Sequence, residues 1–479
     1  MLNFWKYSFD KPWFFTNFSF LGILGIFLML YALVLNKPIL KKLVLILFSL
    51  FFYYKSSGPY LLIFILMIIV DFNVALLIEK IINKVIRKFL LILSILLSLS
   101  FLIYFKYAGF FILNYNNLFS NNIDIPKLFL PIGISFYTFQ SISYIVDVYN
   151  KEIDSTKSFI DYVFYMTFFP HLVAGPIVRA RDFIFQIDIP LKVDKDLLRE
   201  SFLKIIIGLG KKLLIADYLA KYVDLIHTNP NSFSGLENLI SMYAYSFQIY
   251  FDFSGYSDIA IGIALILGYR LKENFDYPYL AENITSFWRK WHMSLSSWLR
   301  DYIYIPLGGN RKGVINTYLF LLITMTIGGF WHGAKWTFIV WGILHGLGLM
   351  FHKLYVKTKI SKYFSSKLIN RFITFNYISI LWIFFRAADL NTALQALNKI
   401  MFHTNYFQII GFYMARKEVL YFLAISALII FFNVYLKDKI KKVYLKLPLY
   451  IIIFLTIMFF QIIIQIKDNL VEPFIYFQF

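Results

Sequence analysis

Cysteine is absent from the 479 residues. That excludes disulfides, thiolate metal sites and S-acylation. An acyl group in transit therefore has no cysteine of this chain to rest on. Charge is also scarce, at 15% of residues, and acidic residues are the scarcer kind, 27 against 47 basic. The motifs of common catalytic machinery are missing too: no H-E-x-x-H, no Walker loop and no G-x-S-x-G. The G-x-G at Gly346-Leu-Gly348 lies inside an apolar stretch and carries no weight.

What is present is apolar. Hydrophobic residues make up 59% and aromatics 21%, with a mean hydropathy of +0.66. Soluble domains are less apolar than this. Residues 21–35, 60–70, 89–104, 420–432 and 449–465 are nearly uncharged. Some are long enough to span a hydrocarbon core, and others need flanking residues or tilt. With the less clean stretches, the length rule predicts about ten to twelve membrane-embedded helices. The expected fold is an all-α polytopic membrane protein. Residues 1–17 are aromatic and broken by charge, so no cleavable signal peptide is expected.

The formal charge of +20 does not point to nucleic acid. Lys and Arg fall in short loops between apolar runs, as topology-setting charges do. Three clusters stand out: Lys37, Lys41 and Lys42; Lys80, Lys84, Arg87 and Lys88; and Lys437, Lys439, Lys441, Lys442 and Lys446. The positive-inside rule makes all three cytoplasmic. The first two are separated by two apolar stretches, an even number of crossings. Both chain ends then face outward, toward the periplasm in a bacterial inner membrane.

The middle of the chain has a different character. From about residue 121 to 352 the apolar runs are short and broken by Pro, Gly, His, Asp and Arg. Irregular backbone at membrane depth needs protein or a watery cavity around it. We therefore expect re-entrant segments lining a cavity, with N-terminal helices (1–120) and C-terminal helices (353–467) as a wall and a tail over 468–479. The segment 168–176, F-F-P-H-L-V-A-G-P, reads as a re-entrant turn, with His171 open between structure and chemistry.

Six of the nine tryptophans lie between Trp288 and Trp341. His332 falls between two apolar runs, at membrane depth, where ionisable groups are costly and usually functional. Its imidazole can take and return a proton near neutral pH, as acyl transfer to a hydroxyl requires. Gly328, Gly329 and Gly333 leave room for a backbone or a substrate. His292 lies in a Trp-rich, mixed-charge segment and is a candidate to orient a donor or polarise its carbonyl. Each histidine has a plainer alternative: a buried structural hydrogen bond for His332, an interfacial position for His292. Asp252 and Asp258, inside an apolar stretch, are candidates to pair with Arg289, Lys290 or Arg300 and hold the cavity's shape.

The element W-H-x-S-L-S-x-W-L-R-D-Y-x-Y-I-P-L-G-G-N-R (291–311) occurs with G-G-x-W-H-G-A (328–334) and with the segment 250–258. Together they resemble the membrane-bound O-acyltransferase (MBOAT) family, in its bacterial polysaccharide-modifying branch. The likeness covers about residues 131–352 well and the flanks only in character. It implies a helical shell around a transmembrane tunnel. It implies an essential histidine at His332 and a second polar position at His292. Trp288, Arg289, Trp291, Trp331 and Asp252 become candidate substrate-binding residues around them. Acetyl-CoA is the expected donor, with no permanently bound cofactor and no metal. The expected partners are a separate periplasmic acetyltransferase- or esterase-like protein and membrane lipid, with no nucleic acid. The Lys-, Asn-, Ile- and Phe-heavy composition suggests an AT-rich genome, which tilts the expected acceptor from alginate to peptidoglycan. D-Alanyl transfer to teichoic acid stays open as the same fold with another donor. A small-anion transporter would need internal repeats and a midplane site, and neither is visible.

The last six residues read F-x-Y-x-x-F: Phe474, Tyr476 and Phe479. This resembles the C-terminal motif of the small membrane partner in teichoic-acid D-alanylation, where a tyrosine relays the acyl group. With no cysteine available, a relay needs another nucleophile. A phenol, with a pKa near 10, leaves more readily than an aliphatic alcohol, so a tyrosyl ester keeps transfer potential. Tyr476 is thus a candidate catalytic residue, anchored by Phe474 and Phe479. An ordinary aromatic membrane-interface end is the alternative.

Overall fold

The computed structural model describes residues 7–8, 12–173, 175–189, 194–359, 361, 366–466 and 474–475. These residues are helical with no strand among them, as expected for a polytopic helical membrane protein. Local chemistry sets the helix ends. Pro38 sits in the first turn of Pro38–Ser57, where its missing N–H costs nothing. The Asn83 side chain caps Lys84–Leu102, accepting from the N–H groups of Val85 and Ile86 at 2.9 and 3.3 Å.

The helices fall into two compact units. One comprises residues 1–202 with 260–272, the other 203–259 with 273–479. Their limits differ from the boundaries expected at 120, 352 and 467. Those boundaries follow polar content along the chain, whereas compactness follows which helices pack together.

Within the first unit, Gly58 (φ 60) turns Pro38–Ser57 back into Leu61–Lys80. Lys42, near the start of the pair, bridges Asp161 and Asp188 at 2.7 and 2.6 Å. Glu79, near its end, binds Lys157 at 2.7 Å. Arg87 donates to the Tyr149 carbonyl at 2.8 Å. The first two basic clusters thus gather at one end of the unit, consistent with two crossings between them. At the other end Ser57 accepts the N–H of Ile132 at 3.0 Å. The segment around His171 is a buried four-residue helix, Phe169–Leu172, packed so tightly that a Cβ on Gly133 would meet the Leu172 carbonyl.

Among the described residues, six stretches are long and apolar enough to cross a membrane: Pro38–Lys80, Lys84–Phe119, Gly235–Leu267, Val314–His332, Trp336–Tyr355 and Lys367–Arg386. A seventh results if the bent pair Tyr406–Phe432 and Tyr435–Lys446 counts as one. This is fewer than the ten to twelve expected. The shortfall has a physical source. Pro38–Lys80 is one stretch that folds into two helices at Gly58, and shorter apolar helices such as Ser19–Leu33 and Leu449–Gln465 stand outside the six.

The second unit is built on residues 235–259 of the long buried helix Gly235–Leu267 and on a tight hairpin, Val314–His332 with Trp336–Tyr355. Small residues set the approach of the hairpin's two helices. A Cβ on Gly329 would strike the Phe338 carbonyl, and one on Gly342 the Met325 carbonyl. The room left by Gly329 is therefore used by a neighbouring backbone. That left by Gly328 is filled by the Leu299 side chain.

Candidate active site

Three buried histidines and a docked stretch of the tail meet in the second unit. His332 is the last residue of its helix and is 4% exposed. Its ring is enclosed edge-on by Trp331 (5.0 Å between centroids), Trp341 (5.3 Å) and Phe385 (5.1 Å). Trp331 also faces His292, at 6.3 Å. One indole thus lies between the two histidines that sequence singled out.

His292 is fully buried and sits in the left-handed region, φ 42 and ψ 54, where an L residue is strained. Asn274 holds it there. The Asn274 Oδ1 accepts from the Ser294 N–H at 3.2 Å and the Ser294 hydroxyl at 2.9 Å, and lies 3.2 Å from His292 Nδ1. A carbonyl oxygen only accepts, so Nδ1 carries the proton and Nε2 presents a lone pair. Burial in this connection, outside the spanning helices, pushes the imidazole down to about 3, so it is neutral. This changes the expected chemistry. Neutral His292 in this tautomer can only accept a hydrogen bond through Nε2, and has no proton there with which to polarise a carbonyl.

Asp252 is 2% exposed and pairs with Lys212 at 2.7 Å. Lys212, in the π-helical segment Lys211–Ala216, also binds Asp217 at 2.7 Å. Asp258 pairs with Lys211 at 2.6 Å and Lys204 at 3.4 Å. The partners expected from sequence were wrong. Lys290 binds Asp276, Arg300 binds Asp301, and Arg289 is exposed. The lysines of the preceding helix reach the buried carboxylates, whereas the basic residues nearest in the motif point to other partners.

The other Asp252 oxygen accepts the backbone N–H of Ile475 at 2.7 Å. Phe474 is buried, stacked on Tyr256 (4.6 Å) and tilted against Phe253 (5.4 Å). Phe253 in turn stands edge-on to His292 at 4.6 Å. The described part of the tail is therefore one ring away from His292. Tyr476 and Phe479 lie outside the described residues.

Trp291 and Trp288 both line the interior. Trp291 packs on Phe287 (5.5 Å), Phe275 (5.1 Å) and Trp382 (5.0 Å). Trp288 packs on Trp341 (5.7 Å) and donates its indole N–H to His345 Nδ1 at 3.2 Å. His345, fully buried, was missed in the sequence. It is one of two histidines in an apolar helix, and the local signal is Trp341 four residues earlier, on the same face. At the entry to that helix, burial and the nearby Arg386 charge pull the Lys335 ammonium below its ordinary value.

Buried imidazoles pack among tryptophans, two of them on helices long enough to cross a bilayer, which places ionisable groups in an apolar interior. The sequence profile of the membrane-bound O-acyltransferase family matches residues 148–394. The chain is 38% identical over 422 residues to the peptidoglycan O-acetyltransferase of Helicobacter pylori, covering 81% of this chain and 79% of that one. It is 42% identical over 308 residues to the Probable alginate O-acetylase AlgI of Pseudomonas putida, covering 63% and 62%. It is 32% identical over 239 residues to the teichoic acid D-alanyltransferase of Bacillus subtilis, covering 47% and 60%. The chain belongs to the membrane-bound O-acyltransferase family and is an O-acyltransferase.

Proposed function

We propose that this protein moves acetyl groups from cytoplasmic acetyl-CoA across the bacterial inner membrane for O-acetylation of peptidoglycan. Acetyl rests on the C-terminal Tyr476 and passes to a separate periplasmic acetyltransferase- or esterase-like partner. The observation that carries this reading is the burial of Phe474 and Ile475 against Asp252, Phe253 and Tyr256, with Phe253 also packed on His292. Tyr476 is the next residue in the chain.

In this reading the phenol oxygen of Tyr476 attacks the thioester carbonyl carbon. The C–O bond forms, the C–S bond breaks, and His332 takes the phenolic proton and returns it to the departing thiolate. The basic end of the first unit faces the cytoplasm by the positive-inside rule, and the tail's end of the chain faces the periplasm. The similarity to the Helicobacter pylori enzyme over four-fifths of the chain supports peptidoglycan as acceptor. The higher identity to the Pseudomonas putida protein over a shorter stretch favours alginate or another exopolysaccharide as the second reading.

The test is donor turnover by purified protein. Labelled acetyl-CoA should yield free CoA and labelled acceptor in the partner's presence, and Tyr476→Phe should stop transfer. Turnover of a D-alanyl carrier protein in place of acetyl-CoA, or undiminished transfer by Tyr476→Phe, would rule the scheme out.

A further inference from the structure

His345 and Trp341 stand four residues apart on one face of Trp336–Tyr355, with ring centroids 4.4 Å apart. Trp341 is also edge-on to His332 at 5.3 Å. The tautomer of His345 is fixed. Trp288 can only donate, so His345 Nδ1 must accept, and the ring's proton sits on Nε2. Two features hold Trp288 in place for this. A reciprocal cap between Asn283 and Ser286 opens its short helix, Ile284–Trp288. Thr285, from the same helix, lies 2.8 Å from His352 Nδ1, two turns beyond His345.

Two ring N–H groups, His345 Nε2 and Trp341 Nε1, are buried without a hydrogen-bond partner among the described residues. Buried donors are seldom left so. His292 has the opposite arrangement, with the proton on Nδ1, toward Asn274, and the lone pair on Nε2. The two side histidines are thus set by their neighbours into complementary roles around His332.

We infer that His345 Nε2–H and Trp341 Nε1–H form the donor site for the oxygen of the transferred acyl carbonyl, with Trp288 as the positioning residue that fixes the His345 tautomer. When the acceptor oxygen attacks the carbonyl carbon, the C=O π pair moves onto oxygen, and these two N–H groups stabilise that oxyanion. The pair returns as the C–S bond breaks, and neither donor gives up its proton. Donors fixed in advance in a dry site stabilise developing charge far better than donors in water. The inference rests on acetyl-CoA as the donor only for the choice of probe.

Two measurements test it. In transfer assays, His345→Phe should lower kcat about a hundredfold, the cost of losing one such donor, while KM for acetyl-CoA changes less than about threefold. His345→Gln keeps a donor and should recover about tenfold of that loss, and Trp288→Phe should cost about tenfold. The second measurement does not need turnover. Acetyl-CoA carrying a carbonyl 13C label is bound to His332→Ala protein, and its carbonyl stretch is read by isotope-edited infrared spectroscopy. The band should move to lower frequency on binding, and the shift should vanish when His345→Phe is added. If His345→Phe does not accumulate, Trp288→Phe and His345→Gln are read in the same way, with a reduced shift expected for the first and a retained one for the second. A carbonyl band that is the same in all these variants, or a kcat within about threefold of the unaltered protein's, overturns the donor site while leaving the acetyl-CoA reading intact. No acetyl-CoA binding by the unaltered protein overturns both.

Discussion

Two apolar stretches of similar length, Lys84–Phe119 and Gly235–Leu267, have opposite surroundings. Only 17% of the apolar window of the first is buried, against 89% for the second. Lys84–Leu102 buries Ser94, Ser98 and Leu102, one face at a spacing of four, and exposes Phe89, Leu93, Leu96 and Leu97. Gly235–Leu267 is covered all round and carries Tyr245, Ser246, Gln248, Asp252, Ser254 and Ser257 into the interior. Lipid solvates a leucine as well as protein does, so apolar content alone does not separate a wall helix from a central one. What separates them is the cost of polar groups. They are tolerated only where other protein groups satisfy them, and there they gather.

The comparison can be tested by substitution. The largest effect is expected at Lys212, which holds both Asp252 and Asp217. Lys212→Met leaves the buried Asp252 and the part-buried Asp217 without their cation and should cost about 3–5 kcal/mol, read as a large fall in the thermal midpoint of the detergent-solubilised protein. A midpoint like that of the unaltered protein would mean the ion-pair cluster does not hold the central helix. Next, His332→Ala should reduce acetyl transfer by about a hundredfold or more while the protein still inserts and accumulates. Wild-type transfer would remove His332 from the chemistry. A smaller loss is expected at His292, where Ala should cost about tenfold or more and Asn less, because its amide oxygen still accepts a hydrogen bond. Equal activity in both variants would make His292 a packing residue only. The smallest effect belongs to the wall: Leu96→Ala, on the outward face, should change stability by no more than about 0.5 kcal/mol. A loss of several times that would show that this face is covered.

Much of this was legible in the sequence, for reasons that can be named. The burial of His332 was, because the apolar runs on either side carry the histidine between them into the interior. The helical membrane class was, because uncharged runs of that length need a bilayer. Asp252 was visible as a misplaced charge, but its partner was not. Lys212 lies 40 residues upstream, and only packing brings the two together. His345 was invisible for another reason. A histidine in an apolar helix looks the same whether or not an indole fixes its tautomer, and Trp288 is 57 residues away. Long apolar stretches are fewer than the embedded helices expected, because a turn such as Gly58 puts two helices into one stretch and some apolar helices are short.

The central claim is that acetyl passes through the tail docked at Asp252. The most direct measurement is peptide mass spectrometry of the purified protein after exposure to acetyl-CoA without its partner. The account predicts an acetyl group on Tyr476, absent in His332→Ala and discharged when partner and acceptor are added. CoA release and acceptor acetylation with no acetyl on Tyr476 at any time would contradict it.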